Sequence, residues 1–387
     1  MSASARQAGN TGGGFLKFNS KPPRIYLTSE DPDFDPFTIQ QWKSEGFDVQ
    51  YLPFDGDLKV FKNQLMHIGD DLEIGEHYAL IAYESAATAA LDACIKPHHH
   101  MVALIAYYPT TVPAPKVTFP QQMELLIHLA GTQGFGSAHR NYIYPDTEVG
   151  FAESDLDEYE RVSANLAWSR TLATIRKAFR IDVDLEPLWD EYLGSEFERR
   201  DAVRALSTMV EEPCVNHVPT LTGGIGRKEL FRFYQDHFVN QNPPMKMRLI
   251  SRTIGVDRVV DEMVISFRHT QRMDWILPDV PPTNKFVQVA MVCVAAVRGG
   301  KLDKESLYWD QASVLVQIGL LNPKLVPDSM KQKGLKRLPV YGVESAQKVL
   351  NEQSLASNQL ITSWRQARTQ PRRQMNGGKS KRPESPD

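Results

Sequence analysis

Two hydrophobic rhythms run along the chain, and one gives way to the other near residue 180. Before that point, short apolar runs at 24–27, 49–52, 78–82, 101–106, 125–129 and 141–144 alternate with stretches of helical period at 37–45, 85–94 and 157–179. The runs at 78–82 and 101–106 are apolar at nearly every position, so both of their faces are covered. Strands of that kind, separated by helices, predict a parallel sheet between two helical layers. After residue 180 the helical stretches come first, at 185–198, 202–210 and 227–238. Long strand patterns follow at 247–254, 258–270, 286–298 and 302–311, then a closing helix at 314–321. Helices followed by strands predict an α+β unit, with helices packed on one curved antiparallel sheet. Gly255-Val256-Asp257 and Gly299-Gly300 are the expected hairpin turns.

A length of 387 residues suits two cores better than one. The expected units are 24–179 and 186–325, with an extension over 326–364. Residues 1–20, rich in Ser, Ala and Gly, are expected to be a flexible leader, and the basic segment 365–387 a disordered tail. A net charge of −3 gives no overall pull toward nucleic acid or membrane. No apolar run reaches spanning length and the N-terminus lacks a signal-peptide core, so a cytoplasmic location is expected. Cys94, Cys214 and Cys293 lie far apart in apolar contexts, which implies reduced thiols and no zinc site. His98-His99-His100 sits in a loop, and consecutive side chains do not converge on one ion. No metal or organic cofactor is expected.

Candidate chemistry in the first unit centres on 78–87, a strand running into a tight turn and an alanine-rich helix. Such a turn needs small residues two before and two after its apex. With Glu84 at the apex these are Ala82 and Ala86; with Ser85 at the apex, Tyr83 would occupy a crowded site. Glu84 is therefore favoured and Ser85 is the alternative. The segment Ala82-Tyr83-Glu84-Ser85-Ala86-Ala87, the run Ile105 through Pro109, the loop Tyr144-Pro145 through Ala152 and the helix at 159–179 together resemble the dienelactone hydrolase family of α/β-hydrolases. The resemblance implies that the nucleophile position falls on Glu84, the acid position on Gln133 and the histidine position on Val149. It thus implies a truncated hydrolase-like sheet whose triad is degenerate.

In the second unit, period 2 puts Asp261, Met263, Ile265, Phe267 and His269 on one face of a strand, as in the wall of an apolar cavity. Asp261 and His269 lie about 26 Å apart along a straight strand, too far to act on each other. His217 before Pro219, His269-Thr270, Pro281-Pro282-Thr283, Glu305, Trp309 and Asp310 resemble, in order and spacing, the SnoaL-like polyketide cyclases of NTF2-like, cone-shaped fold. The resemblance implies Asp310 as general acid/base and His217 and His269 as cavity histidines, with Phe267, Asp261, Trp275, Tyr308 and Trp309 around the substrate. It also implies a homodimer through the open sheet face. The expected activity is cyclisation, isomerisation or dehydration of a small hydrophobic, polyketide-like carbonyl compound. The alternatives are an ester or lactone hydrolase rewired around Glu84 and Ser85, or a non-catalytic binding protein.

Overall fold

The computed structural model describes residues 21–364, so the expectations for 1–20 and 365–387 lie outside the described residues. The first unit is a six-stranded sheet of order β2-β1-β3-β4-β5-β6, parallel throughout. Its strands are β1 (Arg24–Thr28), β2 (Asp48–Tyr51), β3 (Tyr78–Tyr83), β4 (Met101–Tyr107), β5 (Glu124–Ala130) and β6 (Asn141–Tyr144). Four helices cover it: α1 (Pro36–Ser44), α2 (Leu58–His67), α3 (Glu84–Ala93) and α4 (Arg161–Phe179). Every residue of β3 is buried, as its unbroken apolar run requires. On one face Trp42, Trp168, Leu172 and Ile175 pack against the sheet; on the other, Phe61, Leu65 and the alanines of α3 do. The chain leaves β1 toward β2 and then returns to β3 on β1's other side. That reversal opens a crevice at the carboxyl ends of β1 and β3.

The second unit is also a six-stranded sheet, of order β8-β7-β12-β11-β10-β9. Its strands are β7 (Met209–His217), β8 (Thr222–Ile225), β9 (Met245–Ile254), β10 (Arg258–Arg268), β11 (Phe286–Arg298) and β12 (Lys301–Trp309). The expectation of a purely antiparallel sheet is corrected: β7 runs parallel to β12, so the sheet is mixed. Residues 215–220 read as the start of the sheet region, but the first half of β7 and all of β8 were not legible as strands. Glu211, Glu212 and Pro213 interrupt the apolar pattern of β7, and two glycines dominate β8. Register shifts in the β9–β10, β11–β12 and β12–β7 pairs bend the strands. Over the concave face lie α5 (Glu186–Leu193), α6 (Ala202–Ser207) and α7 (Arg227–Phe233). Both α5 and α7 continue into a π-helical turn, Gly194–Glu198 and Tyr234–Phe238. Three further helices follow: α8 (Gln311–Ile318), α9 (Asp328–Lys331) and α10 (Glu344–Leu350).

The two units meet along α1, α4 and two hairpin turns. Arg176 pairs with Glu45 at 2.7 Å and donates to the Val256 carbonyl at 2.5 Å. The Arg298 guanidinium lies 4.7 Å from the Trp168 ring centre. Gly299 and Gly300, both at positive φ, form the β11–β12 turn. A Cβ on Gly299 would stand 3.0 Å from Ser44 Cβ, so this close approach requires glycine. Among the described residues no helix is long and apolar enough to cross a membrane.

Candidate functional site

The structure separates the residues expected to work together in the cone. Asp310 is exposed and caps α8, where its side chain accepts from the Ser313 N–H at 3.2 Å. It shares no hydrogen bond with His217 or His269, so its expected place as an inward general acid is corrected. His217 is buried, with Nδ1 2.9 Å from Thr222 Oγ1 and the rings of Phe233, Phe238, Trp275 and Trp309 around it. Burial pushes its pKa down to about 3, so it is neutral at ordinary pH. His269 is also buried: Nδ1 accepts from the Thr283 N–H at 3.3 Å, and burial lowers its pKa. Its Nε2 has no partner among the described residues.

Asp261 does not face a cavity. Arg252 grips it with two hydrogen bonds of 2.8 and 2.9 Å, and Trp189 Nε1 donates to it at 2.8 Å. Both oxygens are therefore satisfied, which makes Asp261 a structural anchor. Phe267 is packed in the core, Trp309 donates to Gln311 at 2.7 Å, and Tyr308 sits 46% exposed on the opposite sheet face, beside Val292. Of the five expected pocket residues, only Trp275 borders the space between the second sheet and its helices, and its Nε1 is bonded to Asn242 at 2.7 Å.

That space is small. It measures about 10 Å³, roughly the room one water needs. Met245, Met247, Met263 and Met291 line it together with Leu193 and Phe197. Its polar lining is Glu305 and Cys293.

Glu305 belongs to a buried cluster that pattern reading did not single out as a site. The Tyr192 hydroxyl contacts both the Glu305 and Glu196 carboxyls, and it lies 2.7 Å from the Tyr234 hydroxyl. Cys293 Sγ donates to Glu305 Oε1 at 3.3 Å. A phenol has one proton to give. Two carboxyls hydrogen-bonded to one phenol oxygen therefore require that at least one of them carries a proton. Burial raises the pKa of both, and the charge of Glu305 raises Glu196 further. The pair thus shares a proton at neutral pH, and Glu305 is the member that faces the void. Glu196 and Tyr234 lie in the two π-helical turns, a geometry frequent at functional sites. The signal was present in the sequence: Trp189, Tyr192 and Glu196 share a helical face, and Glu305 shares the strand face of Leu307.

In the first unit, Glu84 has φ +47° and is the first residue of α3, directly after β3. Ala82 and Ala86 on either side are fully buried. Partial burial raises the Glu84 pKa, as do the nearby charges of Glu30, Asp31 and Glu158. Gln133 ties two loops together, donating to the Pro109 carbonyl at 2.8 Å and accepting from Ala130 N–H at 2.9 Å. Val149 is half-buried against the core. Just past the last β3–β4 pair, Tyr83 with Tyr107, stands Tyr108, also at positive φ, whose hydroxyl donates to buried Glu153. Burial pushes Glu153 up to about 8. His98 and His100 place ring nitrogens on backbone carbonyls, and no metal-holding cluster occurs among the described residues.

No protein-family model and no curated protein matches the chain. Among solved structures, about a third of it is similar to TsrD from Streptomyces laurentii (15% identity, 36% of this chain and 100% of that one, TM-score 0.31). It is likewise similar to a candidate SnoaL-like polyketide cyclase from Jannaschia sp. CCS1 (16% identity, 35% and 93%, TM-score 0.28). A third similar structure is an NTF2-like protein of unknown function from Burkholderia pseudomallei (16% identity, 35% and 96%, TM-score 0.27).

Proposed function

We propose that the second unit performs proton transfer on a small apolar carbonyl compound, with Glu305 as the acid/base group. The observation that carries this reading is the Glu196–Tyr192–Glu305 cluster bordering the cone's void. Burying two carboxyls around one phenol is costly, and such arrangements concentrate where proton transfer is needed. Glu305 takes a proton from carbon and returns it to another carbon or to solvent. Tyr192 and Glu196 hold a second proton behind it and limit the charge that accumulates. The proton balance closes without a redox partner. Admission of a guest displaces the methionine lining, whose unbranched side chains change rotamer readily. In this reading the first unit is a hydrolase-like frame without a working triad, and it supplies a packing partner through α1 and α4.

The test is α-proton exchange of 2-tetralone in D2O, followed by NMR with the full chain. Wild type accelerates exchange, and Glu305→Gln lowers the rate by about 10²–10⁴-fold. Asp310→Asn leaves the rate unchanged. Equal rates for wild type and Glu305→Gln, or loss of exchange in Asp310→Asn alone, overturn the proposal.

A further inference from the structure

A concavity of about 720 Å³ lies on the outward face of β9, β10 and β11. Register places its charges. Arg248 stands opposite Val264 and Lys246 opposite Ser266, while Arg268 lies two residues beyond Ser266 on the same face. Alternate residues along a strand are about 7 Å apart, so the three cations form a row about 14 Å long, Lys246 in the middle, along one groove. None of the three has a carboxylate within ion-pair distance among the described residues. Arg268 uses one Nη on the Asn284 carbonyl at 2.8 Å, and the rest of its fork is free. Across the groove, Phe286 pairs with Arg268 in register and is 53% exposed. Leu350 of α10 forms the far wall.

We infer that this groove binds a soluble amphipathic organic anion, with its head on Arg248, Lys246 and Arg268 and its apolar body over Phe286 and Leu350. Charge complementarity selects the occupant. A second copy docked about a two-fold axis here would set the same three cations against themselves. The chain's own segment beyond residue 364 carries seven Lys and Arg between 365 and 382, the wrong sign for this surface. Two arginine forks and an ammonium along one groove suit a phosphate or carboxylate head. The exposed ring beside them suits an apolar tail and not a second charge.

Calorimetric titration of the full chain with octyl phosphate, inorganic phosphate and octanol tests this. Octyl phosphate binds, inorganic phosphate binds more weakly, and octanol does not bind. Arg248→Ala and Lys246→Ala each weaken octyl phosphate by about tenfold. Phe286→Ala weakens octyl phosphate but not inorganic phosphate. Glu305→Gln, which disables the cone cluster, leaves the titration unchanged. Octanol binding as tight as octyl phosphate overturns the inference, as does indifference to both cation substitutions. Sedimentation with phosphatidate vesicles without octyl phosphate binding also overturns it, in favour of a membrane surface.

Discussion

Glu153→Gln should stabilise the protein at neutral pH, by an amount that follows from where Glu153 lies. The residue is 7% exposed, and its carboxyl has one side-chain hydrogen-bond donor, the Tyr108 hydroxyl. Burial raises its pKa from 4.5 to about 8. A raised folded-state pKa means the folded chain holds a proton that the unfolded chain releases. The associated stability is complete below pH 4.5 and is lost as pH climbs through 8. Each unit of pH in that window costs about 1.4 kcal/mol. At pH 7 the accumulated loss is on the order of 3 kcal/mol, an upper figure because local water entry relaxes it. Glutamine matches the neutral acid in shape and still accepts from Tyr108, but does not ionise. Urea unfolding of wild type and variant between pH 5 and 8, followed by far-UV circular dichroism, reads the effect. The two should be similar near pH 5 and diverge steadily above it, with the variant more stable. Parallel pH profiles would refute the reasoning, because they would mean that Glu153 ionises in the fold as easily as in the unfolded chain.

Three further outcomes follow from the geometry. Asp310→Ala should cost about 1 kcal/mol, the value of a lost helix cap, seen as a lower unfolding midpoint. Arg252→Met leaves Asp261 buried without its cation and should cost about 3–5 kcal/mol; adding Asp261→Asn should recover part of that, as urea unfolding of the two variants will show. His217, with its pKa near 3, should show no imidazole titration by NMR between pH 8 and 4.5, whereas a midpoint near 6.5 would place it in contact with water.

Much of the architecture was legible before any coordinates. Continuous apolar runs such as Tyr78–Tyr83 leave no polar face for water, so a strand buried on both sides was required. The small residues Ala82 and Ala86 around Glu84 located the tight turn, and Glu84 carries the positive φ. Helices before long strands indicated the second unit, and Gly299-Gly300 marked its hairpin. Such features depend on near neighbours in the chain, so local composition determines them.

The candidate site did not follow in the same way. Period 2 put Asp261 on an inward face, but only the fold brought Arg252 and Trp189 onto its oxygens and made it an anchor. Asp310 directly follows β12, and the start of α8 one residue later turned it into a cap. Glu196 and Glu305 lie more than a hundred positions apart and met only when α5 and its π-helical turn closed over β12. Sequence determined which side chains face inward, because that depends on the local repeat. Which carboxyl is neutralised, which is paired and which is left beside a void depended on partners from distant strands, and desolvation acts only after those partners have packed.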